Sequence, residues 1–228
     1  MDMPNYLAPG HFIDSGSPEV VRFAQAATAN VTGEREKGVA LYYAVREGIT
    51  YDPYIDIGDA VNFRASSVLA TGRGFCIGKA ALLAASARAI GIQARVGHAD
   101  VRNHLTSPRL YEKMKTDLFV WHAYADLCLA GLWVKATPAF NLSLCERAGI
   151  KPLEFDGRSD SLMHPFDRAG RRHMEYLTDR GTYHDVPFEA IQAAFHAAYP
   201  TLMRGRGLAG DFYAEAVAES EPSVKSTA

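Results

Sequence analysis

Apolar and polar positions change rhythm twice along this chain of 228 residues. The N-terminal third follows a helical spacing. "DSGSPEVVRFAQAATAN" predicts a helix with Ser17 as its N-cap and Pro18 in its first turn. "TGEREKGVALYYAVREGITYD" predicts a second helix entered at Thr32; Val39, Tyr42, Tyr43 and Val45 recur near helical spacing, and Gly48 is its stop. "DPYIDIGDAVNFRASS" is rich in turn residues and reads as a loop, and "SSVLATGRG" adds a short helix. From Ile77 to Ile90 the chain is apolar nearly all round, with only Lys79, Ser86 and Arg88 strongly polar. A helix with so little polar face is central and covered by other elements. Gly91 ends it.

After Gly91 the period shortens. "IQARVGHADVR" alternates loosely, and "DLFVWHAYADLCLAGLWVKATPAF" predicts two strands joined by a tight turn at Ala130-Gly131. "LSLCERAGI" and "PFEAIQAAFHAAY" return to helix. The stretch between them, "DGRSDSLMHPFDRAGRRHMEYLTDRGTYHDV", fits neither template. The resulting class is α+β: helices, then an antiparallel sheet, then helices. Residues 1–214 are read as one domain and 215–228, ending in "ESEPSVKSTA", as a disordered tail.

Composition narrows the function classes. The chain is 48% hydrophobic and 22% charged, with 24 basic against 26 acidic side chains. That balance, without a dense basic run, points away from nucleic acid. No stretch approaches the ~20 apolar residues of a membrane span. Cys76, Cys128 and Cys145 form no CxxC pair and no disulfide framework. With no secretory-type start, they lead to the expectation of a cytoplasmic protein with free thiols.

"GRGFCIGKAALLAASARAIG" sets Cys76 just after two glycines, at the start of the all-apolar helix. There it would face the positive end of the helix dipole and unpaired backbone N–H groups, which favour thiolate and can donate to an oxyanion. The alternative is a small, inert core residue, the commoner fate of a single cysteine. The segment also looks like a phosphate-binding loop but fails as one. The glycine required five residues before Gly78-Lys79 falls on Arg73, and Ala80 stands where a hydroxyl is needed.

The strand "LFVWHAYADLCL" alternates faces. Phe119, Trp121, Ala123, Ala125, Leu127 and Leu129 make one apolar face; Val120, His122, Tyr124, Asp126 and Cys128 share the other. His122 is a base or a solvated structural residue. Cys128, six residues and ~20 Å further along, is too far to partner it, and Cys145 in its short helix reads as packing.

These segments together resemble the transglutaminase-like superfamily, which includes bacterial cysteine proteases. "GFCIGKAALLAASARAIGIQAR", from Gly74 to Arg95, resembles its cysteine-helix block, and "HAYADLCLAGLW", from His122 to Trp133, its histidine-strand block. "AVREGITYD" is similar to its pre-catalytic helix end, so the resemblance covers residues 35 to 141. It implies a papain-like core, with a central helix bearing Cys76 packed against an antiparallel sheet bearing His122. It also implies amide-bond chemistry through a thioester, a peptide or amide-containing substrate, and neither metal nor organic cofactor. One position departs from the family pattern. Where its triad carboxylate stands, four residues after the tryptophan, "WVKATPAFN" has Thr137. A hydroxyl can orient an imidazole but cannot stabilise imidazolium as a carboxylate does; Asp126 and Asn141 are the alternates for that role. The competing expectation is a catalytically degraded member that binds a peptide or protein partner in the old cleft.

Two further clusters remain. In "GHADVRNH", with His98, Asp100 and His104, strand alternation puts only His98 and Asp100 on one face, without a clear third ligand for a metal, so the cluster reads as a solvated strand end or a substrate-facing rim. "RAGRRH", residues 168–173, reads as a solvated basic face. The substrate, the choice of water or amine as acceptor, and the oligomeric state are not written in the sequence.

Overall fold

The structure, a computed structural model, describes residues 5–204, 210–212, 214 and 215. The element that organises it is α4 (Cys76–Ala89), in which every residue from Ile77 to Arg88 is buried. The all-round apolar run is the reason: no face of this helix can be left in water. Helices α1 (Pro18–Thr28), α2 (Glu34–Gly48) and α3 (Ala65–Thr71) pack against it, as do strands β3 (Ala94–Asn103) and β4 (Leu118–Leu129). Close approach is enforced at Gly78, where a Cβ would stand 2.7 Å from the Asn62 carbonyl oxygen and 2.8 Å from a Val68 methyl.

The main sheet runs β5-β4-β3-β6 and is antiparallel throughout, with β5 at Leu132–Ala136 and β6 at Met174–Tyr183. The β4–β5 hairpin turns at Ala130 and Gly131, both with positive φ, as a tight two-residue turn requires. Two-residue strands β1 (Thr50–Tyr51) and β2 (Arg73–Gly74) pair in parallel, which ties the end of α2 to the entry of α4. Helices α5 (Pro108–Met114) and α6 (Leu142–Arg147) lie in the connections, and α7 (Phe188–Ala198) packs on β4.

The expected α+β class, with a cysteine-bearing central helix against an antiparallel sheet, is what the structure shows. Three local readings change. The polar stretch that fitted neither template supplies β6, an edge strand whose middle is exposed, so no apolar alternation marks it. A short helix, α5, was not expected. The second helix begins at Glu34 behind Gly33 rather than at Thr32. The tail after Glu215 lies outside the described residues.

The expected alternation of β4 also breaks. Ala99 pairs with His122 and Val101 with Phe119, so Asp100 faces two residues, Val120 and Trp121. This is a β-bulge, and Trp121 takes φ of 59° within it. Beyond the bulge Ala123, Ala125, Leu127 and Leu129 are fully buried as predicted, whereas Phe119 is only half-buried.

Candidate active site

Cys76 is the first residue of α4. Phe75, its N-cap, contributes no side-chain hydrogen bond, so the first-turn N–H groups are left to the thiol. The sulfur faces backbone N–H groups of Ala123, Ile77 and Cys76 itself. Burial is nonetheless the larger influence and pushes the thiol up to about 11. The lowered value expected from the helix terminus is not what the structure gives: removing the thiolate from water outweighs the N–H groups around it.

Cys76 and His122 line one small cleft of about 60 Å³. Its walls are apolar and aromatic, with Phe75, Phe119, Trp121, Phe195, Tyr199 and Leu202 among them. Burial pushes the imidazole down to about 4, and the nearby His98 adds to this. The resting pair is therefore a neutral thiol and a neutral imidazole. The ring nitrogen Nε2 of His122 is buried without a partner. Nδ1 has no hydrogen bond to any described residue and is not enclosed as Nε2 is.

The bulge sets how His122 is presented. Asp100 Oδ1 accepts from the Trp121 N–H at 3.1 Å, and Arg180 holds both Asp100 oxygens, Nε to Oδ1 at 3.0 Å and a terminal nitrogen to Oδ2 at 2.6 Å. His98 Nδ1 lies 3.2 Å from the Trp121 carbonyl oxygen. His104 is engaged elsewhere, with Glu175 at 3.0 Å. His98 and Asp100 thus brace the strand that carries His122, a role their sequence context did not reveal. On the other side of the bulge, the Tyr199 hydroxyl accepts from the Val120 N–H at 2.6 Å and donates to the Leu118 carbonyl at 2.9 Å, pinning α7 to the cleft.

Thr137 follows β5 and is buried. Its N–H donates to the Ser161 carbonyl at 3.0 Å, while its hydroxyl oxygen is buried without a partner. Thr137 and His122 are not hydrogen-bonded to each other. Tyr176 of β6 connects them: its ring lies 6.4 Å from the His122 ring, edge to face, and its hydroxyl lies beside the Thr137 side chain. Burial holds that phenol up at about 12.

The two alternates for the orienting role are engaged elsewhere. Asp126 binds Arg95 at 2.8 Å and sits four residues, ~13 Å of extended strand, from His122. Asn141 accepts from the Tyr51 N–H at 2.8 Å and donates to the carbonyls of Arg46 and Ile49, so it braces the end of α2. Lys79, fully buried one turn after Cys76, donates to the same two carbonyls. Sequence reasoning missed Tyr51, which lines the cleft and whose hydroxyl has no hydrogen-bond partner among the described residues. Its place at the end of the "AVREGITY" run was the available signal. Cys128 and Cys145 are free thiols away from the cleft. Among the described residues no cluster of three His, Cys, Asp or Glu could hold a metal ion, and no helix is long and apolar enough to cross a membrane.

A helix-start cysteine and a strand histidine thus line one cleft. The family model described as Transglutaminase-like superfamily matches residues 21–138, more than half of the chain. The chain belongs to the transglutaminase-like superfamily. Among solved structures it is similar to a "Putative Cysteine Protease" from Cytophaga hutchinsonii, with a TM-score of 0.51 and 16% identity, over 83% of this chain and 51% of that one. It spans about half the length of that protein. A "putative protease" from Parabacteroides distasonis ATCC 8503 matches with a TM-score of 0.37 and 18% identity, over 55% of this chain and 24% of that chain. No curated protein matches the chain. At these identities the Cytophaga structure speaks to fold alone.

Proposed function

We propose that this superfamily member hydrolyses an amide bond through a thioester on Cys76, with His122 as the proton carrier. The observation that carries the reading is that Cys76 and His122 line one cleft. The Cys76 sulfur bonds to the amide carbonyl carbon while its proton passes to His122 Nδ1. The oxyanion is held by first-turn N–H groups of α4, with the Tyr51 hydroxyl as a further donor. The proton then moves to the amide nitrogen, the C–N bond breaks, and the amine leaves a thioester. Water adds to the thioester as His122 takes its proton, the S–C bond breaks, and the thiol is restored. Thr137, through Tyr176, is the neutral orienting group in the position of the family's carboxylate. An amine in place of water would give transamidation. Three free thiols fit a reducing compartment such as the cytoplasm.

The test is hydrolysis of N-acyl amino-acid p-nitroanilides together with intact mass measurement. The proposal expects p-nitroaniline release and an acyl adduct on Cys76, both lost in Cys76→Ala and in His122→Ala. A second reading, a peptide-binding member without catalysis, is favoured by the raised thiol and by the partnerless His122 Nε2. It expects the same ligands to bind with no adduct.

A further inference from the structure

The Cys76 cleft is too small to grip a peptide, and a larger pocket lies next to it. That pocket, about 480 Å³, sits between the loop after β3, α6 and the loop carrying residues 167–173. Its volume falls in the range of ligand sites, roughly 300–1,000 Å³. The two cavities share Leu110 on their walls, and Tyr51 of the cleft packs edge to face on Phe140 of the pocket at 4.8 Å.

The basic run is exposed from Arg168 to Arg172, as a solvated face would be, and it also lines this pocket, with Arg168, Arg171 and His173 among its walls. Which of their groups are available is settled by their partners. Arg171 is bound to Asp167 at 2.7 Å, and Asp167 also accepts from the N–H groups of Ala169 and Arg171, so that carboxylate is fully engaged. His104 is bound to Glu175. The Arg168 side chain has neither hydrogen bond nor ion pair among the described residues. His173 is buried, and burial holds it neutral, down to about 4. Its Nδ1 is enclosed without a partner, while Nε2 has none either and is not enclosed. The remaining walls are apolar, with Leu144, Ile150 and Phe140 among them. One unengaged guanidinium and one neutral imidazole beside an apolar wall fit a single negative charge attached to an apolar body. The planar fork of arginine matches a carboxylate in two-point contact.

We propose that this pocket binds the free carboxylate and apolar side chain at the end of a peptide. If the Cys76 reading holds, the pocket selects substrates whose scissile amide lies close to a C-terminus, and this consequence rests on that reading.

Binding is measured by isothermal titration calorimetry on the full chain carrying Cys76→Ala, with N-acetyl-phenylalanine, its amide and inorganic phosphate as probes. The carboxylate is expected to bind at least tenfold more tightly than the amide and than phosphate. Arg168→Ala, an exposed position, should erase the carboxylate preference and leave amide binding unchanged. Ala169→Trp at the rim should weaken both organic probes. Equal binding of carboxylate and amide, tighter binding of phosphate, or a preference that survives Arg168→Ala would overturn the proposal. Carboxylate selectivity with no adduct on Cys76 in the hydrolysis test would sink the catalytic reading and leave the pocket standing. An adduct without selectivity would do the reverse.

Discussion

Arg180 of β6 holds Asp100 of β3 by a two-point contact, and the same Asp100 accepts the N–H of Trp121 one residue before His122. An ion pair between two neighbouring strands therefore fixes the bulge that presents the histidine. Arg180→Ala should lower stability by only about 1 kcal/mol, because the arginine is partly exposed. It should reduce reaction at Cys76 at least tenfold. Arg95→Ala, which leaves the buried Asp126 without its ion-pair partner, should cost more stability than Arg180→Ala and yet leave reaction at Cys76 nearly unchanged. Urea unfolding and adduct formation measured on the two variants separate these effects.

Thr137, where the sequence resemblance places the family's carboxylate, has a buried hydroxyl without a partner, and His122 Nε2 is buried and partnerless as well. Thr137→Asp should place a negative charge near the imidazole, raise its pKa from about 4 and speed acyl transfer. The imidazole is followed by NMR titration and acyl transfer by p-nitroaniline release. An unmoved His122 titration would put the orienting role elsewhere.

Burial holds His98, His122 and His173 each down at about 4, against an ordinary 6.5. The unfolded chain binds these protons first, so the stability they contribute is full above pH 6.5 and is lost as pH falls from 6.5 towards 4. Urea midpoints should drop steadily across that window, with an uptake approaching three protons on unfolding. His173→Gln should remove about one of them.

At the alkaline side Lys79 acts with the opposite slope to the thiols. Burial lowers Lys79 from 10.5 to about 7, so stability rises with pH between those values as the unfolded chain gives up its extra proton. Burial raises Cys76 and Cys145 from 9.0 to about 11, so their contribution falls across that range. Maximum stability should lie near pH 8–9 by this balance of slopes. In Lys79→Met the rise above pH 7 should vanish while the fall above pH 9 remains, which is checked by thermal melts from pH 6 to 10.

Much of this architecture was legible because single physical demands wrote it into the sequence. An all-apolar helix has to be central, and that placed Cys76. A two-residue turn at Ala130-Gly131 fixed the hairpin, so His122 followed on its strand. What escaped was whatever depends on partners distant in sequence. An exposed edge strand such as β6 has no buried face to impose alternation, so Tyr176 and Arg180, both near the site, were hidden with it. The bulge is a positive-φ tryptophan held by Asp100, and neither residue type announces that conformation. Asp126 and Asn141 were reasonable alternates by spacing, but Arg95 and the end of α2 engage them. The direction of the Cys76 shift was missed because enclosure by α7 and the aromatic walls is a tertiary fact.

The central claim is that Cys76 is a nucleophile whose proton leaves through His122. The most direct measurement is covalent labelling by a peptidyl vinyl sulfone at pH 7.5, read by intact mass and peptide mapping in the wild type and in His122→Ala. The account predicts a single adduct on Cys76, formed at least a hundredfold more slowly in His122→Ala. Labelling spread over Cys128 and Cys145, or an unchanged rate in His122→Ala, would contradict it.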